Sequence, residues 1–303
     1  MTVYYEIDGS DTVLHVWSIE GPDARCVYDP RQSVHFPRAF PTDDEAIVAL
    51  PNALPNDPPR GRFVPGKFAV GQYHPRVWRP TCEPYEGQGN PPRDSVARAS
   101  ALGQLSALVR SLREICRTVE PDQSVPGTQS NLLAYGHEIR NLLLIASTEV
   151  EALWQGVFEA NAPAGPAPNI ERLTTSNYVK LLAPMRLSEY SVELAGYPRL
   201  PAFVPFGGWD LVAPTQSLAW YDAYNKVKHA RERNFPHATL ANAIIAVCAC
   251  LVMIAAQFGP RAQSEVDPFL RLTTLPTWRF DEKYLLPAPD TRMWRSTPLP
   301  GLW

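Results

Sequence analysis

The chain lacks the short motifs that usually name a reaction. It has no Gly-rich phosphate loop, no G-x-S-x-G and no H-E-x-x-H, so the common enzyme classes those motifs mark drop out. It also lacks a strong charge of either sign: the formal balance is −3, which argues against a general electrostatic grip on nucleic acid. Any RNA or DNA contact has to be local. Its five cysteines (Cys26, Cys82, Cys116, Cys248, Cys250) form no C-x-x-C pair and no zinc-ligand spacing. An odd count without such spacing suits a reducing compartment, and buried thiols are expected, with no metal and no cofactor. His15, His35 and His74 have no supporting Cys or carboxylate spacing and are not expected to ligate metal. The start has no basic segment followed by an apolar core, so no signal peptide is expected and the cytoplasm is the expected location.

Proline, by contrast, is abundant: 32 residues, against an ordinary share of about 5%. It is absent from 95–120, as expected where a helix excludes it. At 303 residues the chain has length for one large domain or two ordinary ones without metal or disulfide staples. One segment, 240–256, is apolar except for Asn242, and lies at the lower limit for a membrane span. Its many small residues make a buried core helix the expected state, with a span the alternative.

Residues 1–50 alternate short apolar runs with turn residues. Val3-Tyr4-Tyr5 and Val13-Leu14-His15-Val16-Trp17 flank Asp8-Gly9-Ser10-Asp11, which reads as a β-hairpin. Cys26-Val27-Tyr28 is a candidate third strand, and 62–64 and 67–70 are candidate edge strands in a proline-rich stretch. A helix is expected from Asp94 or Ser95 through Ala101, Leu105, Leu108, Val109, Leu112 and Ile115, ending before Pro121. After a loop at Gly127-Thr128-Gln129-Ser130, the longest helix is expected over 131–161, with Glu138, Asn141, Ile145 and Glu149 on one face. A breaker-rich connector at 162–168 leads to a short helix over 169–183, then an irregular stretch, with Phe203, Phe206 and Trp209 clustered in 198–209. Ser217 is a candidate cap for a helix through Trp220, Tyr221, Tyr224 and Val227, followed by the apolar helix 238–257. The expected fold is therefore α+β, mainly α. A small irregular β-rich region spans 1–92, a helical bundle 93–260, and a Pro-rich tail 261–303 packs on the bundle.

The densest set of reactive side chains is Tyr224-Asn225-Lys226-Val227-Lys228-His229-Ala230-Arg231-Glu232-Arg233-Asn234. On a helix Asn225 and His229 lie one turn apart with Lys228 beside them, so an amide, an imidazole and an ammonium can converge on one phosphate or carboxylate. Arg231 joins them where the helix unwinds, and Pro236 favours an end near that point.

The string from Trp220 to Arg231, followed by Phe235, Ala238, Thr239 and an apolar helix, resembles the signature of the HEPN-like superfamily. Glu138-Ile139-Arg140-Asn141 leading to Thr148-Glu149-Val150-Glu151 is similar to the long helix that precedes this motif there, and Pro205-Phe206 with Trp209 falls in the intervening loop. The resemblance spans 130–257 and leaves 1–92 uncovered. It implies a four- or five-helix bundle, often dimeric, that in many members cleaves RNA without metal through an Arg followed four to six residues later by His. Such chemistry deprotonates a 2′-hydroxyl while charge builds on the phosphate, and a His with a nearby cation can do both. Arg231 and His237 match that spacing, whereas Asn225, Lys228, His229 and Arg231 form the preferred catalytic set, in a different order. Glu138, Arg140, Arg233 and His237 are the binding candidates.

Three readings stay open at this level. The first is a ribonuclease, toxin or phage-defence effector with His229 as general base. The second is a non-catalytic module binding RNA, a nucleotide or a partner protein, as a homodimer or with a protein encoded nearby. The third is a structural protein in which His229 pairs with Glu138 or Glu149 in a buried network. In that last case Trp209, Trp220, Tyr221 and Tyr224 serve as core anchors; in the others they are candidate base-stacking platforms.

Overall fold

The computed structural model describes residues 2–29, 31–53, 61–82, 91–122, 130–165, 169–229, 231–287 and 293–303, with no side-chain description for Arg231. Of the loop expected over 127–130, residues 127–129 lie outside the described residues. The protein is mainly α, with a small antiparallel sheet at its N-terminus. It divides into two compact units, one formed by Met1–His74, Arg79–Pro92 and Thr277–Thr297, the other by Pro75–Trp78, Arg93–Pro276 and Pro298–Trp303.

In the first unit β1 (Thr2–Ile7) and β2 (Val13–Glu20) form the expected hairpin, with Tyr4 opposite Trp17. Asp8 closes the turn by accepting from the amides of Ser10 at 2.7 Å and Thr12 at 2.9 Å, the local side-chain bond for which Asp is favoured in turns. With β3 (Asp23–Cys26), β4 (Ser33–His35) and β5 (Arg62–Pro65) they make a sheet of order β4-β3-β2-β1-β5. Strand β1 lies between β2 and β5 and is covered on both faces. Tyr4, Trp17 and Ile19 pack with Ala46, Ile47 and Leu50 of helix α1 (Asp43–Ala53), while Val3, Tyr5 and Ile7 pack with Cys82, Phe280 and Leu285.

Helix α1 was not expected from the sequence. Its first turn carries Asp43, Asp44 and Glu45, which suit the positive end of the helix dipole, and Pro51 falls in its last turn. The third strand ends at Cys26 rather than beginning there, and 67–70 is not a strand. The expected single tail is divided: 261–276 and 298–303 belong with the helices, but Thr277–Thr297 belongs with the sheet, where Arg295–Ser296 pairs with Gln72–Tyr73.

In the second unit α2 (Ser95–Thr118) starts where Asp94 accepts from the Ala97 amide at 2.9 Å. After a 3-10 turn at Asn131–Leu133, α3 (His137–Ala160) begins at Gly136, which provides no side-chain cap. The segment 169–183 is broken into 3-10 turns around a short α4 (Thr175–Tyr178). Then follow α5 (Ala219–His229), the short α6 (Arg231–Asn234) and α7 (Leu240–Phe258). Ser217 does not cap α5; its hydroxyl accepts from the Asp210 amide at 3.1 Å. Strands Ser191–Leu194 and Leu270–Thr274 pair antiparallel in what sequence alone suggested was irregular chain.

Helix α7 is long and apolar enough to cross a membrane, yet 83% of that window is buried in the structure. It packs against α2, α3 and α5, which explains an apolar surface all round its axis. All five cysteines are free and buried. The α3 terminus is fastened by Asn161: its Oδ1 accepts from Leu299 N at 2.9 Å, its Nδ2 donates to Pro75 O at 2.8 Å, and its carbonyl accepts from Trp303 Nε1 at 3.1 Å.

Candidate functional site

Helix α5 buries Trp220, Tyr221, Ala223, Tyr224 and Val227 and turns Lys226, Lys228 and His229 to solvent. The last turn is basic, which suits the negative end of the helix dipole. Its buried face meets α3 through aromatic rings. Trp154 lies 5.4 Å from Tyr221 and 6.4 Å from Trp220, and it stacks on Trp209 at 5.1 Å and Tyr178 at 5.0 Å. The four aromatics Trp209, Trp220, Tyr221 and Tyr224 are therefore core anchors, too buried to stack on a base.

One turn along, Glu151 of α3 accepts from the hydroxyl of Tyr221 at 2.5 Å and from that of Tyr224 at 3.2 Å. The Lys228 ammonium donates to the Tyr224 hydroxyl at 2.9 Å and sits 5.0 Å from the centre of that ring. A negative and a positive group are thus joined through a phenol that donates to one and accepts from the other. Burial, and then the bond to Glu151, pushes the Tyr221 hydroxyl far above its usual range. The bond to Tyr224 raises the Lys228 pKa, so this side chain stays cationic.

The same helix pair fixes the other candidates. At about 100° per residue His137, Arg140, Leu144, Glu151 and Trp154 fall within an arc of roughly 100° on α3. Trp154 and Glu151 meet α5, and His137 meets Phe235 at 5.0 Å, so α3 and 220–237 run in opposite directions along this stripe. Arg140 is half-buried within it. Its Nη1 donates to Asn141 Oδ1 at 3.3 Å, while its Nε is buried and has no hydrogen-bond partner among the described residues. Glu138 lies on another face, exposed, with Asn141 and Ile145, so it does not share a site with Arg140.

Asn225 is half-buried, and Lys228, His229, Arg233 and His237 are exposed. His229 makes no hydrogen bond or ion pair among the described residues, so the pairing with Glu138 or Glu149 is not formed. The side chain of Arg231 lies outside the described residues. No protein-family model matches the chain, and no curated protein or solved structure matches it significantly.

Two features were missed at the sequence level. One is Glu151, whose only signal was that Tyr221, Tyr224 and Lys228 lie on one helical face at spacings of three and four. The other is an aromatic cluster at the start of α3, where Phe235 lies 5.7 Å from Tyr135 and 5.0 Å from His137. Tyr135 and His137 line a groove of about 790 Å³ between α2 and α3, together with Glu138, Asn141, Ile145 and Ile115. Elsewhere the sequence's isolated histidines have hydrogen-bond partners: His15 with Glu6 at 3.0 Å, His35 with Asp23 at 2.8 Å, and His74 with the Thr297 carbonyl at 2.9 Å. Among the described residues no group of three or more His, Cys, Asp or Glu side chains is arranged as metal ligands.

Proposed function

We propose that the helical unit is a HEPN-like module that engages RNA through the end of α5 and cleaves it without a metal, with His229 as general base. The observation that carries this reading is the exposure of Lys228 and His229 on α5, with the Lys228 ammonium held against Tyr224. A buried polar network needs the opposite arrangement, both side chains turned inward against Glu138 and Glu149. A cation fixed one residue along the helix from an open imidazole suits a reaction in which a proton is taken from a 2′-hydroxyl as charge grows on phosphate. In that step the imidazole takes the proton, the 2′ oxygen bonds to phosphorus, the bond to the 5′ oxygen breaks, and water protonates the leaving oxygen. Lys228 and Arg231 carry the phosphate charge, and Asn225 hydrogen-bonds a phosphate oxygen.

One observation favours a second reading, contact without turnover. Neither Lys228 nor His229 lines the α2/α3 groove, and both stand in open solvent, whereas catalytic sites usually exclude water. Such a module binds RNA or a partner protein, as a homodimer or with another chain. The test is incubation of the full chain with mixed RNA, with and without chelator, beside His229→Ala. Chelator-resistant cleavage lost in the variant supports the ribonuclease. Intact RNA with salt-sensitive binding supports the second reading with RNA as its ligand, and absence of both cleavage and binding sinks the ribonuclease and RNA binding alike, leaving the second reading with a partner protein only.

A further inference from the structure

We infer that the mouth of the α2/α3 groove is a stacking site for an unpaired nucleobase, with Tyr135, His137 and Phe235 as its platform. This rests on the RNA reading above and adds a part of the ligand that the basic segment does not touch. Three rings from two distant segments converge: Phe235 lies 5.7 Å from Tyr135 at 90° and 5.0 Å from His137 at 40°. The bundle buries Trp154, Trp220 and Tyr224 almost completely, yet leaves Tyr135 53% exposed, with His137 also exposed. This ring surface is spare area at the rim of a groove and not part of the core.

The platform is preformed. Tyr135 and Thr239 form a β-bridge, and Leu240 N donates to the Ala134 carbonyl at 2.8 Å, so the segment carrying Phe235 is tied to the start of α3. At about 790 Å³ the groove has the size of a small-molecule site. Its lining includes the apolar Leu108, Ile115 and half-exposed Ile145 together with Glu138 and Asn141. The groove also carries Arg110 and Glu114, the latter paired with Arg117 at 3.2 Å, and the groups that can read a base edge are Glu138 and Asn141, since a carboxylate accepts from a base amine and an amide both donates and accepts. Outside the groove, Arg233 and His237 are exposed two residues either side of Phe235, where a sugar-phosphate backbone meets cations. The base on this platform is unpaired, because a paired base in a duplex cannot reach the rings without leaving its stack.

The experiment uses the full chain and a single-stranded RNA of about ten nucleotides containing 2-aminopurine, beside the same sequence as a duplex. Binding of the single strand with a change in 2-aminopurine fluorescence, and weak binding of the duplex, is the expected result. Tyr135→Ala should weaken binding roughly tenfold, the loss typical of one stacked base, while Tyr135→Phe retains it. Circular dichroism of both variants checks that the half-exposed ring is not needed for folding. Equal binding of strand and duplex, or no effect of Tyr135→Ala on an RNA that binds, overturns the stacking site and leaves the proposed function standing. Absence of RNA binding by the unmodified chain overturns both. Self-association relieved by Tyr135→Ala assigns the groove to a second copy and overturns the inference.

Discussion

Replacing Glu151 by Ala removes the acceptor of two phenols at once, and its effect can be worked from the structure. Hydrogen bonds to a charged group contribute about 1.5–3 kcal/mol each. Glu151 is half-buried, so the lower end applies to each bond, and Tyr221, almost wholly buried, is left without its acceptor. The expected loss is about 3 kcal/mol from the helical unit. The assay is amide hydrogen exchange read on α3 and α5, which reports this unit separately from the sheet. Tyr221→Phe provides the control. Alone it removes one bond and costs about 1.5 kcal/mol, but in the Glu151→Ala background it removes an unpaired hydroxyl and costs nothing or stabilises. A loss below about 0.5 kcal/mol, within the range of an ordinary surface change, would refute the reasoning. So would an equal cost of Tyr221→Phe in both backgrounds.

Trp154→Ala should destabilise the helical unit by about 3–5 kcal/mol, because the ring is fully buried among Tyr178, Trp209, Trp220 and Tyr221; urea denaturation measures it. Asn161→Ala strands the Leu299 amide and the Pro75 carbonyl and should cost about 2–4 kcal/mol, with 298–303 becoming the first site of proteolysis. Burial raises the Glu149 pKa, so the folded chain holds that proton more tightly than the unfolded one. The resulting stability is full below about pH 4.3 and is lost as pH rises through the raised value, so Glu149→Gln should be more stable than the parent at neutral pH in thermal melts. For His74 the sign is opposite: burial lowers its pKa, so its contribution is full above about pH 6.5 and is lost as pH falls through the depressed value. Hydrogen exchange of β1 and β2 between pH 5 and 8 checks this, and His74→Gln should flatten the profile.

Legibility in the sequence tracked the range of the forces involved. The hairpin, the Asp94 cap and the apolar helix α7 are set by neighbours a few residues apart, through turn chemistry, capping and a run of small apolar side chains. Helix α1 was hidden because its acidic start and Pro51 resemble the surrounding turn-rich chain. The pairing of Ser191–Leu194 with Leu270–Thr274 was hidden because neither strand carries a hairpin turn to announce its partner. The basic string around His229 stands out by composition. Its orientation did not: the sequence allowed His229 to point at Glu138 or Glu149, and the structure turns it to solvent.

The sequence by itself determined that this protein is mainly helical behind a small β region, that its thiols are unpaired, and that its reactive groups concentrate between Asn225 and His237. Each follows from local periodicity, composition and spacing. Only the tertiary structure decided that Glu151 anchors Tyr221, Tyr224 and, through Tyr224, Lys228, and that Phe235 meets Tyr135 and His137, two residues that line a groove. It also decided that the C-terminal tail is shared between two units. Those outcomes depend on how helices pack across long sequence separations, where side-chain shape and buried area choose the partner, and no local pattern carries that information.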